Sequence, residues 1–134
     1  KVITYNSITV IDDTYNANLE SCIAAIDYLN AFSGSGRKIL VLGDMLELGN
    51  ASTSQHEKLG SKCSEANLDA VFTIGKRTLS TQSTIHGVPI NLHYNNSGDL
   101  ISSLKSQLQD NDKILFKGSR GMKMERIISG VFKA

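Results

Sequence analysis

No apolar stretch in this sequence approaches the roughly 18 residues that a membrane-spanning helix requires, so nothing in it is expected to cross a bilayer. An excess of either charge is also missing. With 14 basic and 13 acidic side chains the formal charge is +1, which offers no global field for a nucleic acid or an anionic surface to follow. Cysteine is scarce. Cys22 and Cys63 have no C-x-x-C spacing and fall on apolar helical faces, which fits two buried, reduced thiols in a cytosolic protein. The chain starts at Lys1 without a methionine or a signal-like segment, and its first residues already read as a strand, as expected of a piece of something longer. Internal repeats and low-complexity tracts are absent, and the glycines and serines at 33–36 are too few for an interdomain linker. Residues 1–134 therefore read as a single domain, long enough to build a core without staples.

Several catalytic signatures are lacking too. A phosphate-cradling G-x-x-x-x-G-K-[ST] loop does not occur: Gly75-Lys76 is followed by Arg77, and Gly36-Arg37-Lys38 runs in the wrong order and precedes a strand. Gly34-Ser35-Gly36 also lies before a strand, which excludes the dinucleotide fingerprint. His56, His86 and His93 are dispersed and form no H-E-x-x-H or paired Cys/His set, so no metal site is expected. No G-x-S-x-G elbow is present. The chain alone is not expected to hydrolyse ATP.

What is there is a steady alternation of strand and helix patterns. Val2 to Tyr5, Ile8 to Ile11, Lys38 to Leu42, Ala70 to Ile74, Asn91 to Tyr94 and Ile114 to Phe116 read as strands. Apolar residues at threes and fours mark helices through Leu19, Cys22, Ile23, Ile26 and Leu29, through Leu100, Ile101, Leu104 and Leu108, and through Met124, Ile127, Ile128 and Val131. Ser54-Gln55-His56-Glu57 has the form of a capping box, and the helix it would open puts His56, Leu59, Cys63 and Ala66 on one side. The polar stretch from Lys76 to Pro89 has room for a short helix. This order predicts an α/β fold, a doubly wound and mostly parallel sheet with helices on both faces.

Three of the predicted strands end abruptly in polar residues and glycine, where such a sheet gathers its ligand-binding groups. The patches are Ile11-Asp12-Asp13-Thr14-Tyr15-Asn16-Ala17-Asn18, Val41-Leu42-Gly43-Asp44-Met45-Leu46-Glu47-Leu48-Gly49 and Leu115-Phe116-Lys117-Gly118-Ser119-Arg120-Gly121-Met122-Lys123-Met124-Glu125. Asp12 and Asp13 point opposite ways if extended, so one should face the crevice, where a carboxylate can accept from ribose hydroxyls or hold an ammonium group; capping a turn is the other reading for each. Tyr15, Asn16 and Asn18 can recognise a peptide or nucleotide, or serve as turn and cap residues. Lys117, Ser119 and Arg120, with Gly118 and the N–H groups of the following helix, form the strongest anion-binding signal. Asp44 is placed to touch ligand or a neighbouring domain, while His56 reads as a packing histidine.

In order and spacing these patches resemble the C-terminal domain of the Mur ligases, which carries similar D-D-x-Y-N-A-N, G-D-M-x-E-L-G and K-G-S-R segments. Leu19 stands where that family often has proline. The resemblance implies a part of an ATP-dependent amide ligase that joins D-alanyl-D-alanine to UDP-N-acetylmuramoyl-tripeptide through an acyl phosphate, in the building of peptidoglycan precursor. It implies neighbouring domains of the same polypeptide that bind most of the ATP and Mg, so that this chain alone holds no cofactor. By motif, Asp13 and Asn16 would serve the nucleotide, and Tyr15, Asn18, Lys117, Ser119 and Arg120 the incoming dipeptide. Other readings stay open: a Mur-type ligase adding a single amino acid, a non-catalytic nucleotide- or peptide-binding module, or a receiver-like domain using Asp44 and Lys117.

Overall fold

A computed structural model describes residues 1–133. Its strands are β1 (Val2–Tyr5), β2 (Ile8–Asp13), β3 (Lys38–Gly43), β4 (Ala70–Ile74), β5 (Ile90–Tyr94) and β6 (Lys113–Lys117), forming one sheet in the order β1-β2-β6-β3-β4-β5. All neighbours run parallel except the β1–β2 hairpin, whose turn places Asn6 at φ 55. Left-handed backbone is tolerated best by asparagine among residues with a Cβ, which suits Asn6-Ser7 to this turn. The helices among the described residues are α1 (Leu19–Asn30), α2 (Ser52–Glu65), α3 (Thr78–Thr84), α4 (Ser97–Gln107) and α5 (Glu125–Phe132).

Two apolar layers cover the sheet. Because side chains alternate along a strand, Ile11, Leu40, Leu42, Val71 and Leu115 face α1 and α2, whereas Val10, Ile39, Val41, Phe72, Ile114 and Phe116 face α4 and α5. The central strands β3, β4 and β6 are buried on both sides, which explains their near-continuous apolar runs. Cys22 and Cys63 both lie in the first layer, and burial pushes each thiol up to about 12, so neither carries reactive thiolate character in the folded chain. No described helix is long and apolar enough to cross a membrane.

The α2 start differs from the capping-box reading. A 3-10 turn at Gly49–Ala51 runs directly into Ser52, and Ser54 Oγ donates to the Ala51 carbonyl instead of capping anything. The capping box sits instead on α1. Asn18 accepts from Ser21 N–H at 2.8 Å while Ser21 Oγ accepts from Asn18 N–H at 3.0 Å.

The sheet order locates the site. From β2 the chain crosses past β6 to β3 and continues to β5, then returns to insert β6 between β2 and β3. The carboxyl ends of β2, β6 and β3 therefore lie side by side where the winding direction reverses, the place where open α/β sheets take their ligands.

Candidate functional site

Strand register aligns Asp13 with Lys117, Lys117 with Leu42, Leu42 with Thr73 and Thr73 with His93, one row across five strands on the α1/α2 side. At its left end Lys117, only 3% exposed, donates to Asp13 Oδ2 at 3.1 Å and to the Asn16 carbonyl at 2.9 Å. A buried ammonium needs such partners, and satisfying them pulls the 14–18 segment down over β6. Asp13 keeps 44% of its side chain exposed, so this ion pair is open on one side. Asp12, pointing the other way, accepts from Thr14 Oγ1 at 2.6 Å and Thr14 N–H at 3.2 Å, a local turn that directs the chain out of the strand.

Ser119 is a junction. Its N–H donates to the Asp44 carbonyl at 3.0 Å, its Oγ accepts from Leu46 N–H at 2.8 Å, and its hydroxyl faces the Ala17 carbonyl at 3.4 Å. The three strand-end loops meet on this one residue. They come together because Gly43 and Gly118 lack side chains: a Cβ on Gly118 would lie 2.8 Å from Met124 Cγ and 3.2 Å from Gly43 Cα, and one on Gly43 would lie 2.7 Å from Met124 Sδ.

Beyond Ser119, a 3-10 turn at Arg120–Met122 precedes α5, with Lys123 at φ 51 before the helix begins at Glu125. Of the N–H groups expected to be free after Lys117-Gly118-Ser119-Arg120, that of Met122 is taken by the Ser119 carbonyl and that of Lys123 by the Arg120 carbonyl. The exposed cation at this strand end is the Arg120 guanidinium. Its carbon sits 4.5 Å from the centre of the Tyr15 ring, which is 70% exposed, an arrangement that places a charged head over an aromatic face.

Asp12, Asp13, Thr14, Tyr15 and Arg120 line a hollow of about 520 Å³, completed by Lys1 and Glu125. Its lining thus carries positive groups on Lys1 and Arg120 and negative ones on Asp12, Asp13 and Glu125. A ligand with hydroxyls or an amine at one end and a carboxylate at the other suits such walls. Four residues expected at the crevice stand elsewhere: Asn18 caps α1, Lys117 and Ser119 tie the loops beneath the hollow, and Asn16 contributes its carbonyl to Lys117.

Asp44 is also turned away. It is 3% exposed and accepts at Oδ1 from Thr78 N–H at 2.8 Å and Arg77 N–H at 3.1 Å, with the Arg77 guanidinium 3.7 Å from Oδ2. Gly75, at φ 114, opens the space, since a Cβ there would lie 2.4 Å from Asp44 Oδ1. The turn after β4 therefore carries its own anion, a carboxylate from β3's loop, and Asp44 is not open to a phosphoryl donor. On the row's right end, His93 Nδ1 lies 2.8 Å from Thr73 Oγ1; burial holds this imidazole below its ordinary 6.5, against a smaller opposing pull from the Asp44 carboxylate and a bond to the Gly75 backbone.

A family model described as "Mur ligase, glutamate ligase domain" matches residues 1–120. The chain belongs to the Mur ligase family. The UDP-N-acetylmuramoyl-tripeptide–D-alanyl-D-alanine ligase of Bacillus subtilis (strain 168) is 37% identical over 134 residues, covering 98% of this chain and 29% of that protein. The crystal structure of a MurF ligase from Thermotoga maritima in complex with ADP superposes with a TM-score of 0.84 at 30% identity, over 98% of this chain and 30% of that one. MurF from Acinetobacter baumannii gives a TM-score of 0.84 at 28% identity, over 100% of this chain and 29% of that one. The chain thus spans under a third of these relatives, and the mostly parallel sheet flanked by helices is the Mur ligase fold of that region.

Three residues of the hollow in this Mur ligase domain escaped the reading of the sequence. Thr14 and Glu125 lay inside the quoted patches but had no assigned role, and Lys1 reaches the rim only because the β1–β2 hairpin sets it beside Asp12. Antiparallel pairing of Val2 with Ile11 was the available signal for Lys1. Nothing local marked Glu125, whose place depends on the 3-10 turn before α5.

Proposed function

We propose that this chain is one domain, spanning 1–134, of a cytoplasmic ATP-dependent amide ligase that joins D-alanyl-D-alanine to UDP-N-acetylmuramoyl-tripeptide in peptidoglycan precursor synthesis. The observation that carries this reading is the convergence of Asp13, Tyr15 and Arg120 on one hollow at the sheet's reversal point. The names of the relatives support the choice of substrates. Arg120 takes the dipeptide carboxylate, held in place by Tyr15, while Asp13 accepts from the ribose of the nucleotide. Lys117, Ser119, Asn16 and Asn18 act by fixing the loops that present these groups.

ATP and Mg are substrate and ion of the whole ligase. The residues here fit only the ribose end of ATP, because this sequence has no phosphate-cradling loop and the turn after β4 is filled by Asp44. Phosphoryl transfer to the tripeptide carboxylate is assigned to other domains of the same polypeptide. What this chain contributes is orientation of a neutral amine toward the activated carboxylate and exclusion of water that would hydrolyse it, a contribution reaching several powers of ten in rate.

The test is steady-state kinetics on the full ligase. Phosphate release should require the dipeptide, and Arg120→Ala should raise its KM by roughly tenfold or more, the scale of one lost charge-assisted pair, while leaving the KM for ATP nearly unchanged. Turnover with a single amino acid in place of the dipeptide, or an Arg120→Ala enzyme with unaltered dipeptide KM, would reject the reading.

A further inference from the structure

His56 makes no contact with the hollow, yet the loop behind Ser119 is hung on it. This histidine is 0% exposed and sits on the first half of α2. Nδ1 lies 2.8 Å from the Ser52 carbonyl, which can only accept, so Nδ1 carries the proton and Nε2 has a free lone pair. That lone pair accepts Met45 N–H at 3.1 Å. Met45 itself is 0% exposed, so no water can substitute for this acceptor. A leucine at 56 would fit the apolar surroundings of Leu59 and Cys63 but would leave the Met45 N–H unmet.

The next N–H along the chain, that of Leu46, is the donor to Ser119 Oγ. Consecutive amides thus anchor the loop on two sides, Met45 to α2 and Leu46 to the end of β6. Thr81 Oγ1 also donates to the His56 carbonyl at 2.8 Å, which ties this part of α2 to α3. We infer that His56 is a positioning residue, which through Met45 and Leu46 sets Ser119 and hence the Arg120 guanidinium over Tyr15. The kinetic part of this inference rests on the proposed ligase reading; the structural part does not.

Two substitutions separate the two ends of the imidazole. In His56→Gln the side-chain carbonyl reaches the position of Nε2 and can still accept Met45 N–H. In His56→Asn the amide can still donate to Ser52 but is too short to reach the loop. Amide hydrogen exchange on this chain is expected to show Met45 and Leu46 exchanging about tenfold faster or more in His56→Asn, with Ile26 and Leu29 of α1 unchanged, and near-parental protection in His56→Gln. In the full ligase, His56→Asn should raise the dipeptide KM by roughly tenfold while the KM for ATP moves by less than about twofold, and His56→Gln should restore it, as expected of small displacements at a substrate-orienting group. Equal behaviour of the two variants, or faster exchange at Ile26 in step with Leu46, would overturn the inference in favour of a general packing role. If the Asn variant does not fold, the Gln variant decides: a folded His56→Gln chain with lost Leu46 protection overturns the proposal, and retained protection with retained dipeptide KM supports it. A ligase that ignores the dipeptide altogether would refute the function proposed above while leaving the exchange result to judge His56.

Discussion

Lys117 illustrates how a residue's type and its direction carry different information. Lysine at a strand end announces an anion, and the anion turned out to be the chain's own Asp13, with the Asn16 carbonyl as second acceptor. The residue types at Asp13, Tyr15 and Arg120 were legible as candidate recognition groups at parallel strand ends, and the structure brings all three to one hollow. Directions were not legible. Whether Ser119 faces ligand or Leu46 depends on a loop 73 residues away in sequence, and no local pattern encodes that pairing. His93 offers a prediction at this scale. Its folded form favours the neutral ring, so the stabilisation it gives is fully present above about pH 6.5 and is lost as pH falls through its lowered folded value. Thermal unfolding should therefore show the parent losing more stability than His93→Asn between roughly pH 7.5 and 5; parallel curves would contradict it.

Among the elements, the loops decide more than the helices. The apolar stripes of α1, α4 and α5 could be read directly, since their buried faces follow the 3.6-residue period. The boundaries of α2 could not, because a 3-10 turn supplies its first hydrogen bonds and makes a side-chain cap unnecessary. Asn18 was readable either as a recognition or a capping group, and the reciprocal bonds with Ser21 occupy it as a cap. The close approach of β3 and β6 at Gly43 and Gly118 makes a further test possible. Gly118→Ala would push a methyl into Met124 and the Gly43 backbone, costing about 1–3 kcal/mol by overpacking. Urea unfolding of the variant measures this directly, and an unchanged midpoint would mean that the two strand ends are not held as described.

For the whole molecule, alternation of strands and helices was enough to expect an α/β sheet, but not the strand order. The insertion of β6 between β2 and β3 is set by how α4 and α5 cover one face while α1 and α2 cover the other, a balance of burial spread over the full chain. That insertion is what brings the first and last patches together, over a hundred positions apart, with Asp13 and Lys117 in register. Lys1, set beside Asp12 by the β1–β2 hairpin, completes the rim of the hollow they share. The most direct measurement is a crystal structure of the full ligase with a non-hydrolysable nucleotide and D-alanyl-D-alanine. The dipeptide carboxylate should lie within about 3 Å of the Arg120 guanidinium, above Tyr15 and with the nucleotide ribose toward Asp13. A dipeptide bound on another face, with Arg120 and Asp13 left to solvent, would contradict the site proposed for this domain.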